Sequence, residues 1–190
     1  MSSTARNETS APIHNLLANR WSPRGFDATH VISLEELNSV LEEGRWSASM
    51  SNSQPWHFIA ARRGTPTFER IVASMMGFNQ AWTPATLALI LLAERRENEE
   101  GDRLPVAEYD LGQAAAHMSV QAEALGLHAH QMLGFHRDEL NDLVPEGYQP
   151  FTLLSLGLHA DDETVSEKIR ERDASPRERL PLEAITTIDA

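Results

Sequence analysis

The sequence predicts a single α+β domain, in which a buried sheet packs against helices. At 190 residues, of which 41% are hydrophobic and 23% charged, the chain has room for one sizeable core. At least four apolar segments have the length of strands, and about five segments have helical periodicity. These segments do not alternate strictly along the chain, which favours an α+β arrangement over a doubly wound sheet.

Four short apolar segments bounded by turn residues are predicted to be strands. They are residues 56–61, 85–93, 127–134 and 151–158. The second and fourth are apolar on both faces, as expected of strands in the centre of a sheet. The charged segment 94–105 shows no periodicity, so we predict a surface loop there, with a lid over a pocket as one option.

Five segments are predicted to be helices from their periodicity and their end signals. They are residues 12–17, 33–43, 65–77, 106–126 and 135–143. Residues 1–11 are predicted to be a disordered lead-in, and residues 12–190 a single domain with an extended C-terminal tail. Apolar side chains punctuate that tail, a pattern that often reaches across a partner subunit.

Charge and composition exclude several classes of function. The net charge of −12 argues against binding to nucleic acid or to an anionic membrane. The absence of cysteine excludes disulfides, a thiolate nucleophile and cysteine-ligated metals. The N-terminus lacks the apolar segment of a secretory signal, and the longest apolar run, 87–93, is too short to span a bilayer. We therefore expect a cytoplasmic protein.

Residues 45–62 contain a polar loop that leads into the first predicted strand. Ser51 and Asn52 lie in its small polar part, which turns through Gln54 and a proline into apolar residues. Such a loop places amide and hydroxyl groups at a sheet edge, where a flat heteroaromatic ligand with several acceptors can bind. A solvated loop before a core strand is an equally weighted interpretation.

Two groups of arginines form a second candidate site. Arg20, Ser22 and Arg24 lie within five residues, and Arg177 and Arg179 form a later basic pair. These residue types suit an anion, although a solvated basic turn is the alternative.

Side chains that would carry out chemistry directly are not evident in the sequence. His128 and His130 would face the same way in a strand, but no third ligand follows at a recognised spacing, so we expect no metal site. No acid, base or nucleophile stands out either. This pattern fits a protein whose cofactor carries the reaction.

The two polar blocks resemble the FMN-dependent nitroreductase family. R-W-S-P-R-G-F at 20–26 and N-S-Q-P-W-H-F at 52–58, with an amphipathic helix between them, carry the resemblance. The basic pair before Leu-Pro-Leu-Glu, and an A-L-G-L segment at 124–127 followed by Gly134-Phe135, are also similar to that family. Together the four blocks extend from Asn19 to Leu182.

The resemblance implies a fold and a set of cofactor contacts. The fold would be an α-β-α sandwich with a central, mainly antiparallel sheet, and the C-terminal tail would be exchanged in a homodimer. The residues implied to bind FMN are Arg20, Trp21, Ser22, Arg24, Arg177 and Arg179 at the phosphate and ribityl end, Ser51, Asn52 and Gln54 at the ring edge, and the backbone of Leu133 and Gly134 near the flavin N5 and O4.

The resemblance also implies an activity that needs no catalytic side chain. Hydride would pass from NADH or NADPH through FMN to a nitroaromatic, quinone or similar small-molecule acceptor. Residues 131–133 depart from the family pattern, which often has a proline and an acidic residue before the glycine. Two alternatives remain: a flavin-binding or regulatory protein without turnover, and an interaction domain without a cofactor.

Overall fold

The computed structural model describes residues 6–189 of the chain. The helices are α1 (Asn15–Asn19), α2 (Leu34–Arg45), α3 (Pro66–Ala73), α4 (Ala107–Ala124), α5 (Glu167–Ala174) and α6 (Leu182–Ile185). The strands are β1 (Trp56–Arg62), β2 (Ala88–Arg95), β3 (His128–Met132) and β4 (Tyr148–Gly157). Short 3₁₀ segments cover Met50–Asn52, Gly77–Ala81, Thr83–Ala85 and Arg137–Leu143.

The strands form one sheet in the order β1-β2-β4-β3, and each neighbouring pair is antiparallel. The four predicted strands are therefore confirmed, and the two that are apolar on both faces occupy the centre. The register between β2 and β4 shifts between Leu92 and Ala93, where Pro150 pairs with Ala93. Proline has no N–H to donate to the ladder, which accounts for an irregularity at this point.

Helices cover both faces of the sheet. Along β2, Ala88, Ile90 and Leu92 belong to one hydrophobic cluster with residues of α2 and α4. Leu89 and Leu91 belong to a second cluster, on the opposite face, with residues of α3 and α5. Alternate side chains of a strand point to opposite faces, so a strand buried on both sides must be apolar throughout. The three layers confirm the α+β class and the α-β-α sandwich.

Local signals explain why the helices begin and approach one another where they do. Ser33 Oγ accepts a hydrogen bond from the Glu36 N–H at 3.1 Å, and the Glu36 carboxylate accepts one from the Ser33 N–H at 2.8 Å. This reciprocal pair satisfies two donors that the first turn would otherwise leave unpaired. Gly44 lies against Met118, where an added Cβ would be 3.0 Å from Cγ. A side chain at this position would push α2 away from α4.

The prediction of a surface loop from residue 94 is wrong at its start. β2 continues to Arg95, and Glu94 is fully buried. Its carboxylate accepts hydrogen bonds from Arg96 Nε at 2.8 Å and from Gln149 Nε2 at 3.2 Å. Hydrogen bonds to a carboxylate offset much of the cost of burying it, so hydropathy alone misplaces the end of this strand. Beyond it, Glu97 and Arg103 pair as an isolated bridge that closes a small hairpin.

Within residues 6–189, no helix combines the length and the apolar character that crossing a bilayer requires.

Candidate functional site

The segment Arg20–Gly25 connects α1 to the sheet. Immediately after it, Phe26 pairs with His159 as an isolated bridge, and the Asp27 N–H donates to the Leu158 carbonyl at 2.9 Å. These bonds hold the segment just beyond the end of β4, beside the start of β3. Within the segment, Arg20 Nη1 donates to Ser22 Oγ at 3.3 Å, so the guanidinium and the hydroxyl lie side by side.

The structure brings the two predicted arginine groups together. The pKa of Arg177 is lowered by its partial burial, and further by the positive charges of Arg20, Arg6 and Arg179 nearby. Like charges disfavour the protonated form, which explains the direction of the second effect. Contacts agree with this proximity: the Asn7 side chain bonds both to Arg177 and to the Arg20 carbonyl, and Arg6 lies over the ring of Trp21, so guanidiniums from three parts of the chain lie close together.

These four arginines have no acidic partner in the part of the chain that the structure describes. No carboxylate of residues 6–189 lies within 4.0 Å of any of their guanidiniums. Arg24, the remaining arginine of the predicted anion site, does have an acidic neighbour: its Nη1 lies 3.9 Å from Asp173 Oδ1. Uncompensated positive charge of this kind favours binding of an anion.

Arg6 and Asn7 take part in this cluster, although they fall in the predicted disordered lead-in. The Arg6 guanidinium lies 3.4 Å from the centroid of the Trp21 ring. Asn7 donates through its side chain to the carbonyls of Leu17 and Arg20, at 3.3 and 3.2 Å, and its Oδ1 accepts a hydrogen bond from Arg177. No local pattern marks these two residues in the sequence. Residues 1–5 lie outside the described range, so disorder of the lead-in stays a prediction.

Four rings lie next to the arginine cluster: those of Trp21, His128, His130 and His159. Trp21 is buried, with its ring centroid 5.8 Å from that of His128 and 5.0 Å from that of His159. His130 Nδ1 lies 2.8 Å from the Pro23 carbonyl. Burial is the main cause that lowers the pKa of both His128 and His130, so both favour the neutral form.

The two histidines have partners other than a metal. His128 Nδ1 lies 3.1 Å from the Glu123 carboxylate, and His130 contacts the backbone. In residues 6–189 no group of three or more histidine, aspartate or glutamate side chains is arranged to hold a metal ion.

The polar loop before β1 has an unusual backbone. Ser51, Asn52 and Gln54 have φ angles of 53°, 56° and 45°, in the left-handed region that non-glycine residues rarely adopt. Such residues each cost on the order of 1 kcal/mol and persist where their surroundings hold them. Here the buried Asp110 of α4 accepts a hydrogen bond from the Met50 N–H at 3.0 Å. All three strained side chains are exposed.

Within one chain, this loop and the arginine cluster lie at different edges of the sheet. The loop precedes β1, which is one edge strand, whereas Trp21 packs against His128 at the start of β3, the other edge strand. Three strand spacings separate the two edges, roughly 14 Å. The structure therefore does not bring Ser51, Asn52 and Gln54 together with the arginines.

Leu133 and Gly134 follow the end of β3. The Gly134 carbonyl accepts hydrogen bonds from the Met76 N–H at 2.9 Å and from Asn79 Nδ2 at 3.2 Å. A Cβ on Gly134 would lie 2.9 Å from Asn79 Nδ2, so glycine suits this close approach. Among the described residues, the N–H groups of Leu133 and Gly134 have no hydrogen-bond acceptor.

An apolar cavity of about 240 Å³ adjoins this segment. It is lined by Leu111, Gly112, Ala115, Gln131, Met132, Leu133, Phe151 and Thr152. The segment that departs from the family pattern, residues 131–133, thus forms one wall of it.

Comparison with known proteins agrees with this fold and these motifs. The model of the nitroreductase family matches residues 17–81, which contain both polar blocks. A crystal structure described as an oxidoreductase containing FMN superimposes with a TM-score of 0.89 and 28% identity, covering 98% of this chain and 96% of that one. An uncharacterized 15.4 kDa protein of Mycolicibacterium smegmatis is 36% identical over an alignment of 137 residues, which covers 67% of this chain and 92% of the relative. This chain belongs to the nitroreductase family.

Relatives with named activities match over shorter stretches. The major NAD(P)H-flavin oxidoreductase of Aliivibrio fischeri is 38% identical over an alignment of 90 residues, which covers 44% of this chain and 39% of that protein. An oxygen-insensitive NADPH nitroreductase of Helicobacter pylori is 30% identical over 94 residues, 50% of this chain and 42% of that protein. The chain thus spans about two fifths of the length of these two relatives.

Proposed function

We propose that this protein is an FMN-dependent NAD(P)H oxidoreductase that reduces a small-molecule acceptor such as a nitroaromatic or a quinone. The observation that carries the proposal is the gathering of Arg6, Arg20, Arg177 and Arg179 without an acidic partner in residues 6–189. The names of its relatives, which include NAD(P)H-flavin oxidoreductase and NADPH nitroreductase, support the same activity.

The arginine cluster fits the phosphate of FMN. A phosphate monoester carries a charge of about −1.5 to −2 near pH 7 and has three strong acceptor oxygens. Arg20, Arg177 and Arg179 would supply donors in fork geometry, and Ser22 a hydroxyl beside Arg20. Bound phosphate would also relieve the mutual repulsion that, after burial, lowers the pKa of Arg177. Arg24 would act at longer range, because it is already drawn towards Asp173.

The other end of β3 offers groups suited to the flavin ring. The N–H groups of Leu133 and Gly134 have no acceptor among the described residues, so they are available to acceptors on the ring edge. In this site FMN would supply the chemistry of hydride transfer from NAD(P)H and of electron transfer to the acceptor molecule. The role of the chain is to hold the phosphate, orient the ring and stabilise negative charge with its N–H groups. The adjoining apolar cavity would exclude water from one side.

A second copy of the chain would complete the site. Asn52, with Ser51 and Gln54, lies at the edge of the sheet opposite β3, so within one chain this loop lies roughly 14 Å from the edge strand that leads to Leu133 and Gly134. In a homodimer the loop of one protomer would meet the arginines and Gly134 of the other. The C-terminal tail would bury exposed apolar side chains by packing on the partner; they are Leu180, Leu182, Ile185 and Ile188.

The flavin test is direct. The purified protein is expected to carry or take up FMN, and NADH or NADPH should bleach its absorption spectrum under anaerobic conditions. Reoxidation by a quinone or a nitroaromatic would complete the cycle. A protein that binds FMN but is reduced by neither nucleotide would be a flavin-binding protein without turnover. A protein that binds no flavin would contradict the proposal altogether.

The proposed contact of Asn52 with the flavin ring edge can be tested by a substitution that keeps the backbone conformation of the loop. Asn52→Gly keeps a residue that adopts a positive φ readily, so the loop and the stability of the fold should change little. We expect weaker binding of both FMN and riboflavin, by roughly five- to ten-fold, because one ring-edge hydrogen bond is lost. Isothermal titration of flavin-free protein measures both affinities. Asn98→Gly, in the hairpin after β2, is the control for the loss of a loop asparagine: it removes two hydrogen bonds to the N–H groups of Glu100 and Asp102, and both flavin affinities should stay unchanged. Equal affinities in Asn52→Gly and wild type would remove Asn52 from the site.

A further inference from the structure

We propose that Asp173 is a positioning residue for the anion site, because it joins the two chain segments that bear the arginines. Asp173 lies in the last turn of α5, and the segment with Arg177 and Arg179 follows directly. Its buried carboxylate oxygen Oδ2 accepts hydrogen bonds from the N–H groups of Arg24 and Gly25, each at 2.7 Å. The inference rests on the proposed function only in taking the phosphate of FMN as the anion.

The Arg20–Gly25 segment needs such a contact because it is irregular and makes no strand ladder. Three other bonds to residues elsewhere in the chain restrain it: Asn7 Nδ2 donates to the Arg20 carbonyl at 3.2 Å, His130 contacts the Pro23 carbonyl, and the Ala160 N–H donates to the Gly25 carbonyl at 3.2 Å. His130 and Ala160 belong to or follow the sheet, and Asn7 belongs to the N-terminal segment. Asp173 alone among these partners belongs to the element that leads into the second arginine pair.

Arg6 extends the same connection to a third part of the chain. Its Nη2 donates to the Asp173 carbonyl at 3.3 Å. One residue therefore contacts the N-terminal segment through its backbone and the Arg20–Gly25 segment through its side chain. Its position in α5 sets where the later pair begins.

The charge of Asp173 indicates that its role is positional. A buried carboxylate beside a cluster of arginines weakens their attraction for an anion, since it cancels part of the positive field. Its Oδ1 has no hydrogen-bond partner in the described structure and lies 3.9 Å from Arg24 Nη1. Charge alone would make this aspartate unfavourable for phosphate binding, whereas its two short bonds to the backbone hold the segment that presents Arg20 and Ser22.

The experiment compares riboflavin, which lacks the phosphate, with FMN on flavin-free protein. The dissociation constant of riboflavin divided by that of FMN isolates the contribution of the phosphate. A general loss of folding or of ring contacts would lower both affinities together and leave this ratio unchanged. We expect Asp173→Ala to reduce this ratio by roughly ten-fold or more, the size of losing two charge-assisted hydrogen bonds. Asp173→Asn keeps an acceptor oxygen in place and should retain most of the ratio. If Asp173→Ala does not fold, Asp173→Glu, which displaces the carboxylate by one methylene, should show the same fall.

Two results would overturn the inference. The ratio could stay unchanged in Asp173→Ala or Asp173→Glu, or it could rise in both Asp173→Ala and Asp173→Asn, which would mean that only the charge matters. Thermal stabilisation by inorganic phosphate over chloride separates this inference from the proposed function. If wild type binds no flavin but phosphate stabilises it and not Asp173→Ala, the positioning role stands and the flavin function fails.

Discussion

Replacing Arg20 with alanine is expected to weaken FMN binding by roughly ten- to a hundred-fold, the effect of losing a hydrogen bond between charged groups. Arg20 lies beside Ser22, and its charge is close enough to Arg177 to lower the pKa of that residue. Its loss would leave the phosphate with one fewer donor and a weaker positive field. Fluorescence titration of flavin-free protein measures the change.

Riboflavin and a distant arginine supply the controls for this prediction. Riboflavin affinity should be nearly the same in Arg20→Ala and wild type, because that ligand has no phosphate. Arg103→Ala removes the same charge from the hairpin after β2, at the other end of the sheet, and should leave FMN affinity within about two-fold, since distant exposed charges are screened by salt. An Arg20→Ala protein that binds FMN as tightly as wild type would contradict the assignment of Arg20.

Gly157→Ala is expected to lower the free energy of unfolding by about 1–3 kcal/mol, the usual cost of overpacking a core. An added Cβ would lie 2.6 Å from Phe26 Cε1 and closer still to Cδ1. Phe26 is buried against Trp82, with ring centroids 5.9 Å apart, so it has little room to move. Urea unfolding monitored by circular dichroism gives the difference.

A second glycine provides the comparison for this substitution. Gly112→Ala adds the same methyl group within α4, where no atom beyond the adjacent helix backbone and the two neighbouring residues lies within 4 Å of the new Cβ. Alanine is the better helix former, so this variant should be about 0.5–1 kcal/mol more stable than wild type. Since Phe26 directly follows the Arg20–Gly25 segment, Gly157→Ala should also weaken FMN binding. Unchanged stability in Gly157→Ala would contradict the prediction, because it would mean that Phe26 can move away from the added methyl group.

The sheet was predictable because a strand that is buried on both faces must be apolar at every position. Leu89 and Leu91 face one hydrophobic cluster and Ile90 faces the other, so each must be apolar. Such a segment can be recognised as a strand from its own residues, without knowledge of its neighbours. Glu94 was not predictable, since its burial depends on Arg96, two residues later, and on Gln149, which is distant in the chain. A sequence shows the charge of a side chain but not the bonds that allow it to be buried.

For the candidate site, the sequence indicates suitable residue types more than their arrangement. The resemblance implies that Arg20 and Arg177 bind a phosphate, and the structure brings them close to each other; their role stays a prediction. Arg6 and Asn7 were missed because their contacts depend on where the N-terminal segment crosses α1, which no local pattern encodes. The separation of Asn52 from the arginines was also hidden, because it follows from strand order, and strand order is a property of the whole sheet.

The clustering of Arg6, Arg20, Arg177 and Arg179 has a thermodynamic consequence for the protein before any cofactor arrives. Self-repulsion raises the free energy of the folded state, and any polyvalent anion that binds there releases it. Folding and anion binding are therefore linked, by an amount that grows with the logarithm of the anion concentration. Phosphorylated metabolites would then act both as stabilisers of the folded chain and as competitors for the proposed FMN site.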